Sequence, residues 1–396
     1  MDYIEQGTPK FRKTNFAFFA AGFNTFAILY TAQPLMPEFV RVFDVSPTLS
    51  SLAMTVTTFA LAICMLFFGS ISESFGRKNI MVISMFAASL LCILTAFSPN
   101  FYVLMVFRAL QGIVLAGVPS IAMAYISEEI HPRSLAVAMG LYISGNASGS
   151  VFGRVFSGVA AEYIGWNGAI LTIGIISIIA TIIFWKSLEP SKHFEPRNFN
   201  FIQLTRSLLA HLKNPVLVCF FIMGFLLMAM NLSIFSYVTF VLMDDPFNLS
   251  QSIVSWVFII FVIGIFSSAI TGNLVVKFGK VKVTYIGLFI GLAGVLFTFA
   301  PNLALIVIGL SLFTYGFFAT HSIVSGLVGE NALANKAQAS SLYLFFYYMG
   351  SSIGGTLGGV FMTNFGWTGI VLLNIAFLLL CLMLLAAAIR FKRRRA

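Results

Sequence analysis

Arg108 lies six or seven residues into an apolar run at 102–124, and Arg154 lies inside another at 136–160. A cation that deep in an apolar span costs about 2.5–3.5 kcal/mol on insertion scales, so it must face a bundle interior or a wet cavity. Gln111 follows Arg108 by three residues and shares its helix face. A guanidinium held in low dielectric favours anions and forks readily onto a carboxylate. Arg154 has a second option, which is to snorkel to the outer interface. His321 is the one histidine among 4 that falls within an apolar run. Its ordinary pKa of about 6.5 suits a proton carrier, and it suits equally a structural histidine with its hydrogen bonds satisfied. Glu38 and Glu162, near the outer ends of apolar runs, are rival proton acceptors.

Enzyme chemistry finds no support in the residue pattern. Cys64, Cys92, Cys219 and Cys381 all lie in apolar runs without metal-ligand spacing and read as packing residues. No nucleophile with a paired base, nucleotide loop or cofactor motif is present. The expectation is a non-enzyme with no cofactor and no metal.

The elements that carry these residues must be helices in lipid. The 396 residues are 59% hydrophobic and only 9% charged, whereas soluble domains carry about 25% charged residues. Twelve apolar runs recur, at 16–36, 50–71, 80–98, 102–124, 136–160, 167–186, 215–243, 251–275, 283–300, 303–327, 338–362 and 369–390. Each can cross a hydrocarbon core of about 30 Å as a helix. Backbone groups in lipid must be satisfied internally, and the runs lack the alternation of barrel strands. The first run follows Lys10, Arg12 and Lys13 and is too long for a signal h-region, so it reads as the first span.

The net charge of +10 does not point to nucleic acid, because the basic residues sit in alternate loops. All but Arg41, Arg108 and Arg154 of the 23 fall on one side of the spans, which places both termini in the cytoplasm of a cell-membrane protein. Carboxylates are absent from mid-span positions, although the chain has 13.

Residues 187–214 interrupt the apolar rhythm with Glu189, Pro190, Lys192, His193, Glu195, Pro196 and Arg197. This reads as a cytoplasmic linker with some amphipathic helix, between a six-helix bundle at 1–186 and another at 215–396. The two halves repeat at an offset of about 202 residues. Gly69 and Gly76 match Gly272 and Gly279, and Pro99-Asn100 matches Pro301-Asn302. Gly149, Gly153 and Gly158 match Gly350, Gly354 and Gly359, and Gly165-Trp166 matches Gly366-Trp367. Duplicated halves of this kind place a solute site at the midplane between them, with access alternating by rocking.

Three motifs carry a family resemblance. The turn after the second run has Gly69, Glu73, Gly76, Arg77 and Lys78. Gly69 would allow close helix approach, Gly76 a tight turn, and Glu73 can hold a cation or a helix N-terminus. The fourth run has Arg108, Gln111 and Gly112 in an Arg-x-x-Gln-Gly pattern. The chain resembles the major facilitator superfamily, whose signature turn usually has Asp where Glu73 stands. The resemblance implies a twelve-helix fold and a conformational latch at the turn, and it links Arg108 to proton coupling. The fifth run, Gly145 to Arg154, resembles the motif of drug:proton antiporters but has Ser150 and Arg154 where proline and glycine are expected. Stretches 125–132, 140–146 and 338–343 look like the YnfM-type group of bacterial exporters.

The resemblance further implies a cavity lined by spans 1, 4, 7 and 10. These offer Asn24, Tyr30 and Gln33; Arg108 and Gln111; Asn231, Ser233 and Tyr237; and Tyr315 and His321. Tyr142, Asn146, Arg154 and Tyr347 could complete it, or any of these could serve as an interhelix hydrogen bond. The expectation is a proton-coupled exporter of a small anionic or zwitterionic solute, such as a metallophore or a carboxylated metabolite. A multidrug antiporter and proton-coupled uptake are the alternatives. The expected partners are solute, protons and lipid, with a monomeric chain.

Overall fold

The structure is a computed structural model that describes residues 3–192, 201–332 and 335–394. Its regular elements among the described residues are helices, apart from one isolated bridge. In chain order the helices are α1 (Pro9–Tyr30), α2 (Met36–Phe43), α3 (Pro47–Phe75), α4 (Arg77–Ala96), α5 (Phe101–Leu115), α6 (Gly117–Glu129) and α7 (Leu135–Ser187). Then follow α8 (Phe201–Leu212), α9 (Pro215–Met243), α10 (Gln251–Ser255), α11 (Val262–Phe278), α12 (Lys280–Phe297), α13 (Leu303–Asn331) and α14 (Lys336–Arg393).

Nine stretches of helix among the described residues are long and apolar enough to cross a membrane. The two longest each hold two spans. α7 folds back at Gly165 (φ 72°) and α14 at Gly366 (φ 59°), and positive φ is open to glycine without a Cβ clash. α1, with 22 residues, is long enough to span but is more polar, carrying Asn15 and Asn24. The result is the twelve-span, all-α fold.

The chain divides into two compact units. One comprises Met1–Asp44 and Val56–Phe199, and the other Val45–Thr55 and Asn200–Ala396. The repeated residues do the same work in each unit. Asn100 caps α5 by accepting from Val103 N–H, and Asn302 caps α13 by accepting from Leu305 N–H. Gly76 (φ 93°) and Gly279 (φ 82°) make the turns into α4 and α12.

The glycine repeats explain the tightest packing. A Cβ on Gly145, Gly149 or Gly153 of α7 would lie 2.3, 2.1 or 2.5 Å from the carbonyl oxygen of Phe19, Phe23 or Ala27 of α1. In the second unit a Cβ on Gly350 of α14 would lie 1.9 Å from Phe225 O of α9, and one on Gly354 would lie 2.3 Å from Ala229 Cα. Small residues let two backbones touch, which is how helices associate where lipid supplies no hydrophobic drive. Gly69 is different. A Cβ there would meet only Ser120 O at 3.8 Å, so the close approach expected of it is not what this arrangement shows.

The sequence reading of the first span as one helix over 16–36 needs correction. Pro34 has no N–H and its ring clashes with a helical carbonyl four residues back. α1 therefore ends at Tyr30, and Thr31–Leu35 form turns before α2. The matching position in α9 is Ser236, and α9 runs unbroken to Met243.

Gly149→Val and Gly354→Val should each lower thermal stability in detergent by about 1–3 kcal/mol or more, from overpacking against backbone. Gly326→Ala, where a Cβ meets nothing within 4 Å, should leave the melting curve unchanged.

Candidate functional site

The break in α1 is where the buried cations of the first unit converge. Ile28 and Leu29 are among the last carbonyls of α1, which have no partner within the helix. Arg108 Nη1 donates to Ile28 O at 3.0 Å and to Gln111 Oε1 at 2.8 Å, and its Nη2 donates to Leu29 O at 2.7 Å. Gln111 Nε2 in turn donates to Thr95 Oγ1. A cation at a helix C-terminus also meets the negative end of the helix dipole. The following carbonyls find partners as well. Tyr30 O accepts from Gln33 N–H, Thr31 O from Ser157 Oγ, and Ala32 O from Leu35 N–H.

Arg154, on α7, holds the far side of the break. Its Nε donates to Gln33 Oε1 at 2.7 Å, and its guanidinium carbon sits 3.5 Å from the Tyr30 ring centroid. Its Nη1 donates to the carbonyl and the hydroxyl of Ser150. Arg154 is 1% exposed within the described structure and points inward rather than snorkelling out. Ser150 and Arg154 are the two departures from the antiporter motif, and here they are acceptor and donor one turn apart. A proline at 150 could supply no hydroxyl. At the repeat offset Arg108 and Arg154 correspond to Leu310 and Gly355, so neither the cations nor the break recur in the second unit.

The signature turn is a second polar cluster of the first unit. Arg77 forks onto Glu128, Nε to Oε2 at 3.1 Å and Nη2 to Oε1 at 2.6 Å. Its Nη1 donates to Ser72 Oγ and to Gly69 O. Lys78 donates to Leu188 O. Such bidentate charge-assisted pairs are the strong ones. The side chain of Glu73 lies outside the described residues, so its expected latch role finds no test here.

In the second unit the polar feature is aromatic. His321 Nδ1 lies 2.9 Å from Tyr343 Oη. The imidazole lies parallel to Phe317, 6.0 Å between centroids at 5°, and is tilted against Tyr347, 4.6 Å at 37°. Tyr343 was not among the expected site residues. Its i, i+4 spacing from Tyr347 on one helix face could have revealed it. Ser150, Ser157 and Thr95 were missed for a plainer reason: hydroxyl residues in spans are common, and sequence does not say which carbonyl they reach.

The remaining expected residues are dispersed. Asn24 donates to Thr181 Oγ1, which meets Ser89 Oγ, each at 3.3 Å. Asn146 lies against Gly22, where a Cβ would come within 2.2 Å of its Oδ1. Tyr237 donates to Gly355 O at 2.8 Å, Ser233 pairs with Asn374, and Tyr315 accepts at its carbonyl from Ser267. Asn231 is buried. Glu38 is buried in α2, 3.7 Å from the exposed Arg41, while Glu162 is exposed on α7. Among the described residues no cluster of His, Cys, Asp and Glu could hold a metal ion.

Comparison with known proteins agrees with this architecture. A model of the Major Facilitator Superfamily matches residues 15–337 and 235–396. The MFS-type transporter YybF of Bacillus subtilis is 53% identical, with 100% of this chain and 98% of the relative covered. The inner membrane transport protein YnfM of Escherichia coli is 39% identical over 93% of this chain and 88% of its own length. The solved inward-facing structure of a bacterial homolog of the human lysosomal transporter Spinster superposes with a TM-score of 0.78 at 15% identity, covering 98% of each chain.

Arg108→Ala would strip the Ile28 and Leu29 carbonyls of their partner. It should lower thermal stability by about 1–3 kcal/mol for each buried group left unbonded. Arg108→Lys should recover part of that loss, and both variants are read by a melting curve of purified protein.

Proposed function

The chain belongs to the major facilitator superfamily, and we propose that within it the protein is a proton-coupled exporter of a small anionic or zwitterionic organic solute, working by alternating access. A metallophore or another carboxylated metabolite fits that class. The observation that carries the reading is Arg154 at the break of α1, lying on the Tyr30 ring and bonded to Gln33. Discontinuous spans mark solute sites in secondary transporters. A planar guanidinium between an aromatic face and an amide is suited to a carboxylate. The absence of mid-span carboxylates from the sequence supports the same sign of charge.

In this reading Arg108 shapes the site by holding the end of α1, and His321 carries the proton with Tyr343 as its neighbour. Glu38 and Glu162 are the rival carriers. The Arg77 turn is the latch of the conformational cycle. The positive-inside pattern places both termini in the cytoplasm, and the chain acts as a monomer with its halves at 1–186 and 215–396.

A second reading rests on the aromatic set Phe317, His321, Tyr343 and Tyr347. Stacked rings of that kind suit planar apolar drugs, which would make the protein a multidrug antiporter. Proton-coupled uptake uses the same groups with the opposite net direction.

Purified protein in proteoliposomes, with an imposed pH gradient and a mixed panel of small carboxylates, zwitterions and lipophilic cations, separates these readings. Gradient-driven movement of carboxylates or zwitterions is expected, and Arg154→Gln should reduce it at least tenfold, or about 1.4 kcal/mol. Movement of lipophilic cations alone would displace the first reading in favour of the second. His321→Gln should abolish gradient-driven accumulation while solute exchange between equal pools persists. Unchanged accumulation would remove His321 from proton coupling.

A further inference from the structure

The N-terminal residues do more than lead into α1. Ile4 pairs in parallel with Ile130 as an isolated bridge. Ile4 N–H donates to Glu129 O at 2.9 Å, and His131 N–H donates to Ile4 O at 3.1 Å. Tyr3 packs edge-on against the His131 ring, and Gln6 N–H reaches Ser134 Oγ. The Ile4 side chain is buried in the same apolar cluster as Phe18, Tyr125, Ile130 and Leu188.

Leu188 belongs to the start of the segment that leads away from α7. That segment is held by Lys78 of the Arg77 turn and by Tyr125 of α6. Lys78 donates to Leu188 O, and Tyr125 Oη donates to Glu189 O at 2.7 Å. Glu128, which pins Arg77, is the neighbour of Glu129, whose carbonyl receives Ile4. The N-terminal residues, the Arg77 turn and the start of the linker therefore close one end of the first unit as a connected set.

The attachment is slight for the length of chain it orders. One bridge, one ring contact, the Gln6–Ser134 hydrogen bond and one buried aliphatic side chain oppose the entropy of fixing residues 3–6. The strap does not pack solidly against the linker start. A cleft of about 290 Å³ separates them, lined by Glu5 and Lys10 on one side and Glu189 and Lys192 on the other. Gly7, at φ 92° with open space around it, joins the strap to the Thr8 cap of α1 and supplies a hinge.

We propose that Tyr3–Gln6 form a reversible strap that closes this end of the first unit and, through Ile4, holds the start of the interdomain linker in place. The strap opens and closes as one element about Gly7. When it opens, Glu129 O, His131 N–H and the apolar contacts of Leu188 are released together. This is independent of which solute the protein carries.

Hydrogen exchange on the full chain in lipid nanodiscs tests the strap. Ile4→Asp should raise exchange at least about tenfold in peptides covering 129–134 and also in those covering 186–190, while helix centres in both units stay as they were. The double variant Ile4→Cys, Ile130→Cys, oxidised, should slow exchange in both peptides below the wild-type rate, and reduction should restore it. A rise confined to 129–134 would mean that the strap does not hold the linker, and the proposal would fail. Unchanged exchange in the oxidised pair would show that the strap does not open, with the same consequence.

Discussion

The carbonyls at the buried C-terminal end of α1 have to find donors within the protein, and that requirement organises the first unit. A helix end leaves its last carbonyls without intrahelical partners, and burial makes leaving them unbonded costly. Here Arg108 takes Ile28 and Leu29, Ser157 takes Thr31, and local turns take Tyr30 and Ala32. The arginine that looks most like a functional residue in the sequence is thus also the residue that makes the broken helix possible. Arg154 then binds the side chain of Gln33 inside the break and lies on Tyr30. One set of side chains thus both satisfies the helix end and gathers two buried cations beside it.

The second unit shows what the same repeat does without that constraint. Its α9 has no proline at the matching position and runs straight through, with buried residues along nearly its whole length. No arginine stands at the positions of Arg108 and Arg154. The glycine contacts between α9 and α14 reproduce those between α1 and α7, so the scaffold is duplicated while the polar chemistry is not. The second unit instead gathers His321, Phe317, Tyr343 and Tyr347, a set with a titratable ring and aromatic faces. Duplication gives two similar frames, and divergence gives each its own kind of site.

The contacts at one end of the first unit differ in strength as well as in chemistry. The Arg77–Glu128 fork is a two-point ionic contact within one compact cluster. The N-terminal residues rest on one bridge, one further hydrogen bond and two side-chain contacts, with no ion pair among the described residues. Local openings in proteins draw on the least densely bonded elements.

Much of this protein was determined by sequence alone. Twelve long apolar runs and a scarcity of charge leave helices in lipid as the physical solution, because backbone groups must then bond within each span. The glycine repeat announced the duplication, and Gly165, Gly366, Asn100 and Asn302 fall where folding back and capping require them. The deep arginines were legible as costly and therefore positioned. What they touch was not. Sequence shows Pro34 but not that α1 ends four residues earlier, and it shows Ser150 and Arg154 as two oddities rather than one hydrogen-bonded pair. Tyr343 beside His321, and Ile4 against Ile130, join residues distant in sequence. Periodicity records which face of a helix is apolar. Only the packed structure decides which partner that face meets, since that depends on the rotation and depth of two helices at once.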